Sequence, residues 1–226
     1  WVAETNKKPV SRPGLSTKKM QAYTLAVIVP FSNQFRNNVP ALYEAIVARL
    51  PKALAQKFDY TVFHGTAPGS NFDTFASATA QSLGSDPYAA LVAADADIAA
   101  HNGIANGIVM APQGKSKLLL ARDNDGRPLF INSVAEGAVP QILSQPTHLA
   151  KAAYKDDTKD VLGVMGDWTQ AIYGVAQSLS LSISDQATLT DGDQTINLWQ
   201  QNMVAIRAEM EVGFRANTDV FDLLVK

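Results

Sequence analysis

The chain has 226 residues, of which 46% are hydrophobic, a net charge of −2 and no cysteine. This length suits one large domain or two small ones with a hydrophobic core, and the charge balance excludes a dominant nucleic-acid-binding role. The lack of cysteine excludes disulfides, thiolate catalysis and cysteine-based zinc sites. No apolar run approaches the roughly 20 residues of a membrane-spanning helix, so no membrane partner is predicted. Because the chain begins at Trp1, we expect a processed or truncated product.

Residues 1–31 predict a long β-hairpin with a loose tip. Pro9, Pro13 and Gly14 mark its turn, and Met20–Phe31 is the returning strand. A hairpin of this kind has no core of its own, so it has to rest on another surface. Residues 1–30 contain Glu4 as their only acidic residue, against these basic residues: Lys7, Lys8, Arg12, Lys18 and Lys19. We therefore expect the surface that receives the hairpin to be acidic.

A long helix is predicted next. Asn38 is its expected N-cap, and Pro40 lies in the first turn, where the missing N–H costs little. Pro51 lies further along and should kink the helix. The buried face is marked by apolar residues at every fourth position: Leu42, Ile46, Leu50, Leu54 and Phe58.

The middle of the chain predicts short elements. Residues 64–84 are rich in Gly, Ser, Thr and Ala and predict a loop. A second helix is predicted over residues 86–101, with Ser85 as its cap. Residues 107–111 predict a buried strand, and residues 113–122 a short helix. Two further signals are a tight turn at Asp123-Asn124-Asp125-Gly126 and a short strand over Val161–Met165.

The C-terminal part of the chain predicts strands. Residues 175–183 alternate apolar residues with serines, which indicates a half-exposed strand, and Asp191-Gly192 indicates a hairpin or loop. Residues 203–214 alternate without a break, which predicts a long strand with one buried face and one charged face. The charged face is dominated by Arg207, Glu209 and Glu211. The buried face comprises Val204, Ile206, Ala208, Met210, Val212 and Phe214.

Charge is distributed unevenly between the two ends of the chain. Residues 185–226 hold seven acidic residues against Arg207, Arg215 and Lys226, whereas the N-terminal 30 residues are basic. In a chain that associates with itself, a basic head and an acidic tail predict head-to-tail contact between copies.

Motifs of soluble enzymes are incomplete. Gly114-Lys115-Ser116 resembles the end of a P-loop, but Val109 stands where the first glycine is required. The 123–126 segment fails as a calcium loop because Ala121 and Asn132 occupy the outer ligand positions. The three histidines are widely spaced, and no GxSxG is present. Trp168 and Trp199 are predicted to anchor a core or an interface. We predict no enzyme activity, cofactor or metal.

The order of elements resembles one known family. A basic hairpin with Lys8-Pro9 is followed by the long helix, then by a small α/β region containing Met110-Ala111-Pro112, then by closing strands over 202–221. This order is similar to that of tailed-bacteriophage major capsid proteins with the Hong Kong 97 fold, an α+β fold. The resemblance implies an extended loop (E-loop) at 1–30, a peripheral domain with a spine helix at 31–70, an axial domain at 71–176, and closing peripheral strands at 177–226.

The resemblance also implies function and location. The chain would be a structural subunit whose copies form pentamers and hexamers and then an icosahedral virion capsid around DNA, assembled in the host bacterial cytoplasm. Expected partners are further copies, a portal, a scaffold or prohead protease, decoration proteins, and the packaged DNA through weak contacts. The subunit-interface charges would be Lys7, Arg12, Lys18, Lys19, Arg207 and Glu211. Glu211 departs from the family, which commonly has arginine there.

Some members of this family join subunits through a lysine–asparagine isopeptide bond, with a glutamate as base. The matching residues are Lys8, Asn202 and Glu209. A carboxylate in a dry interface can take the lysine proton before the amine attacks the amide. Seven residues of regular strand span about 23 Å, so Glu209 and Asn202 of one chain could not share a site unless the strand bends. In the alternative interpretation the three residues make ordinary turn and ion-pair contacts.

Two other functions remain open from the sequence. An encapsulin-type compartment shell has the same fold, and a small soluble α+β binding or enzyme domain has a similar composition. The basic hairpin without a core argues against a monomeric domain.

Overall fold

The computed structural model describes residue 7 and residues 17–122, 141–156, 160–192 and 194–226. The helices of this part are α1 (Asn33–Asn38), α2 (Pro40–His64), α3 (Pro87–Ala100) and α4 (Pro112–Leu120). The strands are β1 (Tyr23–Ser32), β2 (Thr79–Ser82), β3 (Gly107–Met110), β4 (Gln141–Ile142), β5 (Gln145–Leu149), β6 (Val161–Gly166), β7 (Ala171–Ser184), β8 (Thr188–Asp191), β9 (Gln194–Asn197), β10 (Met203–Ala216) and β11 (Phe221–Val225). None of the described helices is long and apolar enough to cross a membrane. The predicted turn at 123–126 lies outside the described residues.

A three-stranded antiparallel sheet of order β1-β10-β7 holds the predicted long strand at its centre. Phe31 of β1 lies opposite Val204, and Ile183 of β7 lies opposite Ile206. The predicted burial of Val204, Ile206, Ala208, Val212 and Phe214 is confirmed, whereas Met210 is half-buried and Ala205, on the other face, is also buried. The returning strand of the predicted hairpin is β1, which pairs with β10; most of the hairpin's other arm lies outside the described residues.

Helix α2 covers one face of β1 and β10. Its Leu50 and Leu54 are buried in one cluster with Phe31, Val204 and Ile206. Leu42 in the first turn is 47% exposed, and Ile46 and Phe58 are half-buried, so only Leu50 and Leu54 of the predicted stripe are buried.

The start of the helical region differs from the prediction. Asn38 is the last residue of the separate short helix α1 and caps nothing, whereas Ser32 Oγ caps α1 by accepting from Phe35 N at 3.1 Å. Helix α2 begins at Pro40, which therefore lies in the first turn as predicted, and Pro51 lies inside the helix. The prediction of Asn38 as N-cap was wrong because the helical segment is split at Val39.

A six-stranded mixed sheet of order β2-β11-β6-β3-β5-β4 encloses the larger core. Phe75, Leu91, Ile108, Met165 and Phe221 are buried in it. The loop prediction for residues 64–84 was partly wrong, since β2 lies there and pairs in parallel with β11. The predicted second helix is confirmed as α3, but its cap is Asp86, whose Oδ1 accepts from Ala89 N at 3.0 Å.

Of the two structures predicted at Asp191-Gly192, a hairpin or a loop, the hairpin is present as β8–β9, with Gly192 at φ 57°. Strand β7 is longer than predicted and more exposed. Val175, Leu181 and Ile183 lie opposite Val212, Ala208 and Ile206, so both strands turn these side chains to the face that α2 covers. No β7 residue belongs to the cluster beneath α2, and its apolar side chains remain exposed.

Candidate assembly surface

The charged row of β10 lies on the face of the three-stranded sheet that α2 does not cover. Arg207 is exposed, and its Nη2 lies 3.1 Å from Glu209 Oε1. Glu211 is half-buried and its Oε1 accepts from Thr24 Oγ1 at 3.3 Å. The row therefore has one positive and two negative side chains.

Most positions beside this row carry small side chains. Ser182 and Ile28 lie opposite Arg207, and both Ser180 and Ala26 lie opposite Glu209. Arg207 is well exposed, and the Glu209 side chain is 22% exposed. The result is a low surface of net negative charge on which an extended segment can lie.

The candidate cross-link residues are not brought together within one chain. Asn202 is exposed in a turn at φ 51°, at the start of β10, where its Oδ1 accepts from Asn33 Nδ2 at 2.8 Å. Glu209 lies further along the same strand, beside Arg207. Lys8 lies outside the described residues. The hydrogen bond from Asn33 would polarise the Asn202 carboxamide, but no described carboxylate is placed beside that amide as a base.

The predicted interface cations occupy different settings. Lys7 and Lys19 are exposed, and Arg12 lies outside the described residues. Lys18 is engaged within its own chain: its Nζ lies 2.8 Å from Asp73 Oδ2 and donates to the carbonyl oxygen of Ala216 at 2.6 Å.

Asp73 is an organising residue that sequence reasoning missed. Its Oδ2 accepts from Ala216 N at 3.0 Å and lies 3.0 Å from Arg215 Nε, in addition to the ion pair with Lys18. The backbone of Asp73 donates to the carbonyl oxygen of Phe214. This carboxylate ties the segment before β1 to the end of β10. Its partners are separated by up to 198 residues, so no local sequence signal could have identified it.

The exposure of two apolar surfaces was also not predicted from the sequence. One is the row of β7 described above, where Ile183 is 64% exposed. The other is Trp199, which is 70% exposed in the turn before β10. The sequence allowed an anchor in a core or an interface for this tryptophan, and its exposure excludes the core of the described subunit. Trp168, by contrast, packs on Phe75 and Phe221 and confirms the core interpretation.

A cavity of about 520 Å³ lies between β1 and the second half of α2. Tyr23, Leu25, Phe58 and Phe72 supply its apolar wall, and Lys57 is also part of its lining. Among the described residues, no group of three or more His, Asp and Glu side chains is arranged to hold a metal ion.

Two buried carboxyl groups in the larger core have opposite pKa shifts. Asp167 accepts hydrogen bonds from Thr169, Gln170, Asn106 and the Ile104 backbone, and those from Thr169 do most to lower its pKa. Burial, together with a smaller contribution from the neighbouring Asp97, raises the pKa of Asp222 to about 7, against a hydrogen bond from Gln81 that lowers it. Neither group adjoins the charged row, so both concern the stability of the subunit.

Comparison with known families decides the classification. The model of the phage capsid family matches residues 1–219. The chain belongs to the phage capsid family. This is a family of structural capsid proteins and not of enzymes, so the predicted family and the coarse structural role are confirmed.

Two curated relatives illustrate the family relationship. The chain is 31% identical over 240 residues to the probable major capsid protein gp17 of Mycobacterium phage D29, an alignment that covers 96% of this chain and 72% of the relative. It is 25% identical over 234 residues to the major capsid protein of Staphylococcus phage 80alpha, with 97% and 68% coverage.

Solved structures confirm the fold of the phage capsid family. A chain from Gordonia phage Cozz superimposes with a TM-score of 0.81 at 21% identity, covering 99% of this chain and 76% of that one. The capsid of an empty GTA particle gives a TM-score of 0.70 at 15% identity, covering 100% and 79%. At these identities the likeness concerns the fold alone, and the predicted α+β capsid fold is confirmed.

Proposed function

We propose that copies of this chain form hexamers and pentamers that close into an icosahedral phage shell around DNA, with assembly in the host bacterial cytoplasm. The observation that carries this proposal is the exposed charged row of β10 in a chain of the phage capsid family. On the opposite face of the same sheet, β7 leaves apolar side chains such as Ile183 exposed, which is typical of a surface that is covered in an assembly.

The basic head of one copy would lie on the sheet face of the next. Lys7 and Lys19 are exposed, and Lys8 and Arg12 add to the positive charge of the head. Glu209 and Glu211 give the receiving face its negative charge, and Arg207 limits which registers are favourable. Charge complementarity of this kind fixes register and specificity more than affinity.

The domain division given by the sequence remains part of this proposal. The E-loop would comprise residues 1–30, and the peripheral domain with the spine helix α2 would comprise residues 31–70. The axial domain would comprise residues 71–176, and the closing strands residues 177–226. In the last segment, strand β10 belongs to the three-stranded sheet and strand β11 to the six-stranded sheet, so this segment connects the two sheets. A portal, a scaffold or prohead protease, decoration proteins and packaged DNA would be further partners.

A covalent link between copies is a second proposal, supported by the residue types at Lys8, Asn202 and Glu209 and by the exposed, hydrogen-bonded Asn202 amide. Attack of the lysine amine on the amide carbon would release ammonia and leave an isopeptide bond, with Glu209 of another copy receiving the lysine proton. Assembled particles should then give ladders of multimers on a denaturing gel. Monomer bands alone would contradict the link and leave the shell role intact.

The shell role itself is tested by electron microscopy of the full-length gene product. Closed particles of uniform diameter, built from this chain, are the expected result. A product that stays monomeric at high concentration, with and without the proteins encoded beside it, would contradict the proposal.

A further inference from the structure

The cavity of about 520 Å³ between the start of β1 and the last turns of α2 has no part in the proposed contacts between copies. Sites for small molecules usually enclose roughly 300–1,000 Å³, with mostly apolar walls and a few polar groups that orient the ligand. The cavity has this size, and Val212 of β10 and the loop after α2 complete its lining. The chemistry of the lining therefore indicates what kind of molecule it can hold.

Aromatic rings give the cavity a fixed apolar wall. Phe72 is buried, and its ring centroid lies 6.1 Å from that of Tyr23 and 6.3 Å from that of Phe58, each pair meeting edge to face. Edge-to-face pairs at such distances are favourable. Gly69 permits this arrangement, because a Cβ at that position would lie 2.8 Å from Tyr23 Cε1. The wall is thus formed before any ligand arrives, which lowers the entropy that binding has to offset.

The polar part of the lining favours an acceptor on the ligand. Thr61 Oγ1 already donates to the Lys57 carbonyl oxygen at 2.8 Å, and Thr24 Oγ1 donates to Glu211 Oε1 at 3.3 Å. The hydroxyl protons of these two threonines are therefore committed within the chain. The ammonium group of Lys57 remains as a strong donor at the rim of the cavity.

The charge of the lining has one sign. Among the described residues that line the cavity there is no aspartate or glutamate, and Lys57 supplies the one lysine or arginine side chain. Lys57 is exposed and forms no ion pair with a carboxylate of the described chain, and its Nζ lies 6.0 Å from the centroid of the Tyr60 ring. A single unpaired ammonium beside an apolar cavity fits a ligand with one negative charge.

We infer that this cavity binds an amphipathic organic anion, a small carboxylic acid whose apolar body lies on the aromatic wall and whose carboxylate meets Lys57. A ligand rich in phosphate fits less well, because one lysine would face several negative charges and the wall would face polar groups. The inference goes beyond the proposed shell function and does not depend on it, since residues of one chain form the whole cavity.

Decanoate is a suitable probe, because it combines a flexible apolar body with one carboxylate. Isothermal titration of dissociated subunits of the full-length gene product, below the micelle concentration of decanoate, should show saturable binding of one molecule per subunit. Binding to the folded state alone should also raise the temperature of thermal unfolding. The lack of saturable binding to the wild-type subunit would overturn the inference.

The role of Lys57 is tested by removing its charge. Lys57→Gln should weaken decanoate binding by about two- to fivefold, the range for an exposed ion pair. Lys52→Gln, on an exposed part of α2 outside the cavity, is the matched control and should bind as wild type does. Decanamide, which lacks the charge, should bind equally to wild type and to Lys57→Gln. Equal affinity of Lys57→Gln and wild type for decanoate would overturn the assignment of the anionic group.

The place of binding is tested by filling the cavity. Thr61→Trp should weaken decanoate binding by about tenfold or more, because the indole takes the space that the apolar body needs. Leu25→Trp fills the cavity from β1 and replaces this variant if Thr61→Trp does not fold. Ile183→Ser, on the exposed apolar row of β7, should leave the affinity unchanged. Wild-type affinity in a folded cavity-filling variant, or its loss in Ile183→Ser, would show that decanoate binds elsewhere on the surface.

These measurements are separate from those of the shell function. Particles seen by electron microscopy together with a failure to bind decanoate would overturn the ligand site alone. Binding of decanoate by subunits that form no particle would support the ligand site while the shell function fails.

Discussion

Lys18 Nζ lies 2.8 Å from Asp73 Oδ2, so a lysine of the basic head is held by its own chain. The same lysine donates to the Ala216 carbonyl at the end of β10. Lys18 therefore connects the segment before β1 to the end of β10. Of the cations predicted for the subunit interface, this one has a structural role within the chain.

Removal of the Asp73 carboxylate should therefore weaken the fold. Asp73→Ala leaves Lys18 and Arg215 without their ion-pair partner and the Ala216 N–H without its acceptor, and we expect a loss of about 1–3 kcal/mol in the free energy of unfolding. Chemical denaturation of the subunit measures this loss. Lys19→Ala, which removes a neighbouring exposed lysine, should leave the stability within about 0.5 kcal/mol of wild type. Equal stability of both variants would contradict the role given to Asp73.

The charge-docking model predicts a different effect for the other cations. Reversal of Lys8, Arg12 and Lys18 together should impair assembly, but the Lys18 change should also destabilise the subunit because of Asp73. The cleaner variant is Lys7→Glu with Lys8→Glu and Arg12→Glu, which should prevent assembly while the unfolding transition is unchanged. Light scattering and thermal unfolding measure the two properties separately.

A compensating change sharpens this test. The double change Glu209→Lys and Glu211→Lys on the sheet face should also impair assembly. A chain that combines this double change with Lys7→Glu, Lys8→Glu and Arg12→Glu, the reversed-head variant, should assemble again. Assembly of the reversed-head variant at wild-type concentrations would refute docking by charge. Failure of the combination to restore assembly would show that the two surfaces do not meet.

The sequence predicted the elements whose pattern is local. The period of two in β10 and the spacing of Leu50 and Leu54 directly identified the buried faces, because each pattern reports on one element. Strand β2 escaped prediction because its four residues show no alternation and are stabilised by pairing with Asp222 to Val225. The exposure of the apolar side chains of β7 could not be predicted from the sequence of β7. It depends on how far helix α2 extends across the sheet.

The candidate site was predicted to a similar extent. Arg207, Glu209 and Glu211 form the row expected from their spacing. The contact of Asn202 with Asn33 joins residues that are 169 positions apart, and the exposure of Trp199 depends on the packing of Leu198. Long-range contacts of this kind follow from the tertiary fold and not from local periodicity.

Asp222 predicts a pH dependence of stability. It is fully buried in β11, and the groups that face it are Gln81 from β2, Met165 from β6, and Asp97 and His101 from α3. Asp222 Oδ1 and Asp97 Oδ2 are both buried and receive no hydrogen bond from another described group, so a proton held between the two carboxyl groups would satisfy both. The native state therefore favours the protonated form of Asp222.

The sign of the effect follows from the raised pKa of about 7 in the folded state, above the ordinary 3.8 of the unfolded chain. The stabilisation is complete below about pH 4 and is lost as the pH rises through about 7. Asp222→Asn mimics the protonated form, so it should remove this loss and raise the stability at pH 8 by about 1–2 kcal/mol. Unfolding free energies of the subunit at pH 5 and pH 8 measure both effects. A steeper decline in the variant than in the wild type would contradict the shared proton.

Asp167 should show the opposite dependence on pH. Its carboxylate accepts from Thr169 Oγ1 at 2.6 Å and from Asn106 Nδ2 at 3.0 Å, and these bonds connect the turn after β6 to the loop before β3. The hydrogen bonds lower its pKa below 3.8, so its contribution is present above about pH 4 and is lost as the pH falls through the folded-state pKa. Asp167→Ala should cost about 1–3 kcal/mol at pH 7, because several part-buried hydrogen bonds lose their shared acceptor. The difference between variant and wild type should shrink at pH 3, and a difference that stayed constant from pH 7 to pH 3 would show that the ionised carboxylate does not hold this junction.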